Sequence, residues 1–151
     1  DIVIAVASAT TPILEMEWFK PGAIISDVGY PKNISHAPVK RNDILVFSGG
    51  LAKSPTPVSF PIDLGLPSPD VLYGCFAEGI ILALEKRFEN YSFGRGNITP
   101  ERIEVIQALG KKHGFEVSDF YWGDELVGES ILSKIRQILH ENKAHSAGKK
   151  A

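Results

Sequence analysis

The 151-residue chain is long enough for one domain with its own core, and its apolar and charged fractions, 44% and 23%, are those of an average globular protein. Its net charge of -2 offers no basic field for nucleic acid. Its single cysteine excludes an internal disulfide and a cysteine-built zinc site, and fits a reducing, cytoplasmic compartment.

Residues 2–7, Ile-Val-Ile-Ala-Val-Ala, are apolar and rich in β-branched side chains, the pattern of a strand buried on both faces of a parallel sheet. Such an opening reads like the middle of a domain, and a longer protein is expected. Small residues follow at Ser8-Ala9-Thr10. A short helical piece is predicted over 14–19, stopped by Pro21-Gly22. Residues 23–28 form a second predicted strand, ending in Gly29-Tyr30-Pro31, and 34–42 a connecting loop. Residues 44–47 form a third strand, which stops at Ser48-Gly49-Gly50. Three apolar strands thus each end in small residues, and ligands of open α/β sheets bind beyond the carboxyl ends of the strands. Gly29, Gly49 and Gly50 are therefore either plain turn residues or places where backbone approaches a ligand.

Residues 51–67 carry four prolines and no period, which predicts a long ordered loop or lid. A helix is predicted over 69–89, with Ser68 as N-cap, Pro69 at the first position and Asp70 complementing the dipole. Leu72, Phe76, Ile80, Leu84 and Phe88 recur every four residues and predict its core-facing stripe. The run at 79–84 is too short to span a bilayer and is bracketed by Glu78 and Glu85. Cys75 sits near the helix start, off that stripe. Backbone N–H groups there favour a thiolate, the nucleophilic form. Cys75 is either such a nucleophile or one more small packed side chain. Glu78, three residues on, is a neighbour or a structural partner.

Tyr91 to Asn97 is a glycine-spaced loop. Its G-x-G follows a helix rather than a strand and so fails the context of a dinucleotide fingerprint. Thr99 and Pro100 start a helix that ends at His113-Gly114, where Lys111, Lys112 and His113 suit the negative end of the dipole. Phe115 to Trp122 is extended. Residues 126–141 are an amphipathic helix with Ile131, Leu132, Ile135, Ile138 and Leu139 on one face, followed by a small, basic tail expected to be disordered over 144–151.

Five motifs in fixed order then carry a resemblance: residues 25–33 (ISDVGYPKN), 48–50 (SGG), 73–78 (YGCFAE), 90–95 (NYSFGR) and 112–115 (KHGF). From Asp1 to about Phe115 the chain resembles the C-terminal half of long-chain acyl-[acyl-carrier-protein] reductases and their amino acid dehydrogenase-like bacterial relatives. The resemblance implies an α/β fold, the C-terminal half of a Rossmann-type parallel sheet plus C-terminal helices. It implies a partial NAD(P)-binding domain, which is expected over 1–122; the amphipathic helix over 123–143 and the tail beyond are a departure from the family. It also implies NADPH-dependent reduction of a fatty acyl thioester, on acyl carrier protein or coenzyme A, to an aldehyde. The family's nucleophilic cysteine falls on Cys75, and Ser8, Gly29, Tyr30, Gly49 and Gly50 fall on the cofactor side. No metal ligands are expected.

The phosphate-binding turn and the acyl-binding domain of the family lie outside these residues, which alone are expected to be inactive. An exposed apolar edge at 2–7 is expected to drive self-association or pairing with the missing half. Two alternatives stay open: an amino- or hydroxy-acid dehydrogenase of Rossmann type in which Cys75 only packs, and a non-catalytic nucleotide-binding module.

Overall fold

The computed structural model describes residues 1–35, 41–94 and 96–148, with side chains to 143. Most of the loop expected at 34–42, Arg95 of the glycine-spaced loop and the end of the tail lie outside these. The chain forms two compact units, Asp1–Gly49 with Phe120–Ala151, and Gly50–Asp119.

In the first unit, β1 (Ile2–Ala5), β2 (Ile24–Asp27) and β3 (Leu45–Ser48) pair in parallel in the order β1-β2-β3, as expected of an α/β sheet. Their carboxyl ends are in register, with Ala5 beside Asp27 and Asp27 beside Ser48. Ala23, Ile25, Ile34, Ile44, Val46 and Trp122 form the core beneath them, with Val3, Leu14, Met16 and Phe19 packed against it. Full burial of each large aliphatic side chain contributes roughly 1.5–3 kcal/mol.

The expectation that residues 2–7 are buried on both faces is corrected. Ile2, Ile4 and Val6 are 77%, 65% and 65% exposed, while Ala5 is buried. Among the described residues β1 is an edge strand with one uncovered face, the exposed apolar edge expected at 2–7. A continuous apolar run does not distinguish one covered face from two, because both faces of the strand read alike.

The helical piece after β1 is a single 3-10 turn, Met16–Trp18. After the second unit the chain makes a hairpin of β7 (Tyr121–Trp122) and β8 (Glu125–Leu126) and then α3 (Glu129–Gly148). The predicted face of α3 is the one that packs: Ile135 is buried, and Ile131, Leu132, Ile138 and Leu139 are half-buried. Residues 126–128, expected in this helix, belong to β8 and the turn after it. The helix runs on past the boundary expected at 143.

In the second unit, β4 (Leu51–Lys53) lies between β5 (Val71–Tyr73) and β6 (Glu116–Val117), antiparallel to both. The sheet is covered by α1 (Gly74–Leu84) and α2 (Pro100–Lys112). Leu72, Ala77, Ile81 and Phe115 are its core.

Three expectations for this unit are corrected. Residues 51–53 open with a strand rather than a loop. The helix expected over 69–89 begins at 74 and ends at 84, because Val71-Leu72-Tyr73, β-branched and aromatic in part, pair with β4 instead. The buried face of α1 is Ala77, Ile81 and Leu82, whereas Phe76, Leu84 and Phe88 are 37%, 55% and 87% exposed. Moving the helix start moves the stripe: Leu72 is buried on a strand and Phe88 lies beyond the helix.

The prediction for α2 stands. The Thr99 hydroxyl accepts the Arg102 N–H at 3.3 Å, Pro100 is the first helical residue, and Lys111 and Lys112 occupy the last turn. No helix among the described residues is long and apolar enough to cross a membrane.

Candidate active site

Cys75 is the second residue of α1, and it is exposed. The strand β5 passes into α1 with no linking residue, Tyr73 being the last of the strand and Gly74 the first of the helix. Tyr73 takes the N-cap position in extended conformation (φ -62°, ψ 139°) and gives no side-chain cap. The Gly74 N–H donates to the Gly50 carbonyl at 2.7 Å, and a Cβ on Gly74 would lie 3.1 Å from that oxygen. Glycine at 74 is thus what lets the helix start press against the β3–β4 turn.

The residues expected to start the helix do other work. The Ser68 hydroxyl bonds the Asp70 carboxyl, which holds it below the usual carboxylate range, and Lys53 lies 4.0 Å away. No acidic side chain occupies the first turn of α1. Cys75 therefore shares the first turn of α1 with no carboxylate. Glu78 accepts a hydrogen bond from Ser92 Oγ at 2.8 Å and ties α1 to the loop at 91–97.

At the other end of α1, Glu85 Oε1 lies 2.6 Å from Lys112 Nζ and 2.5 Å from His113 Nε2. These two bonds hold the Glu85 carboxyl below its ordinary value. His113, expected only to complement the helix dipole, also joins the ends of α1 and α2. Neither Glu85 nor the pairing was legible, because the partners are 27 and 28 residues apart.

Of the cofactor-side candidates, Gly50 belongs to the unit that holds Cys75 and touches the start of its helix. Ser8, Gly29, Tyr30 and Gly49 belong to the first unit, at the carboxyl ends of the parallel strands. Ser8 is exposed and Tyr30 is 68% exposed. Gly29 and Gly49 have packing reasons to be glycine. A Cβ on Gly29 would lie 2.7 Å from Asn33 Nδ2, and one on Gly49 would collide with Ser26 Oγ and sit 2.7 Å from Val28 Cγ2. Gly50 takes a φ of +73°, which turns β3 into β4.

Beneath this strand-end edge lies a buried polar network that the sequence pattern did not single out. The Asp27 carboxyl is fully buried and accepts three backbone N–H groups: Gly29 at 3.0 Å, Asn33 at 2.7 Å and Ile34 at 2.9 Å. Asn33, also fully buried, exchanges two 2.8 Å bonds with the backbone of Ala7. The loops after β1 and β2 are thereby fastened to each other. Lys32 Nζ donates to the Asp27 carbonyl at 2.9 Å, and burial lowers the Lys32 pKa against the opposing pull of Asp27. An acidic residue ending an apolar strand, followed by Gly and Asn, was the available signal.

No family model matches this chain. It is 30% identical over 121 residues to the long-chain acyl-[acyl-carrier-protein] reductase of Synechococcus elongatus, a match covering 77% of this chain and 35% of that protein. It is also 30% identical over 138 residues to the aminotransferase PigE of a Serratia species, covering 89% of this chain and 16% of the relative. The chain therefore spans about a third and a sixth of the two relatives' lengths. It is related to both over this segment, and the first relationship is to a reductase.

Proposed function

We propose that this chain carries the nucleophile of an NADPH-dependent acyl-thioester reductase that forms a fatty aldehyde. The matched segment occurs in proteins named for two different activities, so the names do not choose between them. The observation that supports the reductase reading is Cys75, an exposed thiol in the first turn of α1.

In this reading the Cys75 thiolate attacks the carbonyl carbon of an acyl thioester on acyl carrier protein or coenzyme A. The carrier thiol leaves, taking up a proton, and the acyl group remains on Cys75 as an enzyme thioester. NADPH, when bound, supplies the hydride that turns this thioester into the aldehyde and returns the thiolate. Cys75 is exposed on the first turn of α1, where an incoming thioester can reach the sulfur. The fastened strand ends of the first unit fit a cofactor-side edge. Ser8, Gly29, Tyr30 and Gly49 are its proposed residues, their short side chains leaving backbone accessible except at Tyr30. The first unit is then part of a Rossmann-type domain.

Intact-mass measurement of a full-length protein that contains this chain, with acyl-carrier or acyl-coenzyme A substrate, tests the reading. A single acyl adduct is expected, lost in Cys75→Ala together with aldehyde formation in the presence of NADPH. An adduct that persists in Cys75→Ala overturns it.

A further inference from the structure

The proline-rich segment between β4 and β5 folds into the wall of an open cavity of about 460 Å³. That size is within the range of small-ligand sites. Val58, Phe60, Ile62, Leu64 and Leu66 line it, and Asp63 is the one ionisable group among its lining residues. Val58, Phe60 and Leu66 are rooted in the core of the second unit, which gives the wall a firm base. Ile62 is 66% exposed, an apolar side chain held out at the cavity.

The wall is bound to the turn that presents Cys75. Tyr73 Oη, two residues before the thiol, donates to the Leu64 carbonyl at 2.9 Å. Phe76, the residue after the thiol, has its ring 5.6 Å from that of Phe60 and 5.9 Å from that of Tyr73. Both chain neighbours of the nucleophile's turn thus contact this wall.

We infer that this groove holds the hydrocarbon chain of the acyl group while its carbonyl is at Cys75. The inference rests on the acyl-thioester reading of Cys75 and gives residues 57–69 a share of acyl binding in addition to the domain expected outside this chain. The lining is mostly apolar and its one ionisable group is an acid, Asp63, so it suits neither a nucleotide phosphate nor a free carboxylate. A hydrocarbon chain needs only apolar surface, and each methylene buried adds about fourfold to affinity.

Binding of the methyl ester of cis-parinaric acid to the intact protein reads the groove without needing the thiol. Wild type and Cys75→Ala are expected to bind the probe alike. Ile62→Asn and Ser59→Trp, both at exposed positions, are expected to weaken it by about tenfold. The rate of Cys75 acylation by octanoyl-coenzyme A relative to acetyl-coenzyme A should fall in the same two variants. Equal probe binding in all four proteins, or none in wild type, overturns the groove. Probe binding that is lost in the two variants, with no adduct at Cys75 from either thioester, supports the groove and sinks the reductase reading. An adduct formed equally fast from both thioesters, without probe binding, sinks the groove and leaves the nucleophile standing.

Discussion

The two compact units end their strands in opposite ways. In the first, β2 ends in a buried carboxyl, and the chain beyond it is fixed by three side-chain-to-backbone bonds to Asp27 and two to Asn33. In the second, β5 runs straight into α1 with no side-chain cap, held at that point by one backbone bond from Gly74 to Gly50. Among the described residues, the second unit buries no carboxyl or amide side chain, only the hydroxyls of Ser54, Tyr91 and Ser118. The first unit places an acid and an amide under its strand ends, where they set the shape of an edge. The second leaves a thiol exposed on a helix start. Buried polar bonds fix the strand ends of the first unit, and the helix start of the second is presented without them.

Removing the polar anchor should break the comparison most severely. Asp27→Ala leaves three N–H donors without their acceptor and is expected to cost about 3–5 kcal/mol. Both tryptophans, Trp18 and Trp122, lie in the first unit, so their fluorescence reports its urea unfolding separately. A midpoint equal to that of wild type would show that the network adds nothing.

Gly49→Ala should act on the same unit with a smaller effect, about 1–3 kcal/mol, because the new methyl meets Ser26 and Val28. If Gly49 is there for packing, Ser26→Ala in the same chain should recover part of the loss. If the loss appears only in NADPH binding and not in unfolding, the packing account fails.

The smallest effect belongs to the second unit. Glu85 has its carboxyl pKa lowered by Lys112 and His113, so its contribution is fully present above the unfolded carboxylate value of 4.5 and is lost as pH falls through the lowered folded value. The wild type should melt slightly above Glu85→Gln at pH 6, and the gap should close towards pH 3. A gap that stays constant across that range counts against the ion pair as its source.

Much of the parallel sheet was legible because β-branched runs at 2–7, 23–28 and 44–47 were separated by clear turn residues. The α2 boundaries were legible because Thr99, Pro100 and Gly114 are local signals, read within one helical turn. Residues 68–73 were misread for a converse reason. Ser68, Pro69 and Asp70 form a good local start signal, but the pairing of Val71-Leu72-Tyr73 with Leu51-Ala52-Lys53 outweighs it, and that pairing depends on residues some 20 positions away. Cys75 was found as a lone thiol. Its place in the first turn, rather than in the second turn of a longer helix, came only from where the strand ends. Asp27 and Asn33 stayed hidden because a polar residue beside a turn looks solvated in a sequence.

The passage from Tyr73 to Gly74 has a consequence for how the protein can be altered. With no linker, strand and helix share one rigid phase. A single residue inserted there would turn every side chain of α1 by about 100° about the helix axis relative to β5. Cys75 would swing off its present bearing, and Ala77 and Ile81 would leave the core together. Reactive geometry and folding are geared to each other at that peptide bond, so the thiol cannot be re-aimed by lengthening the chain without unpacking the unit that carries it.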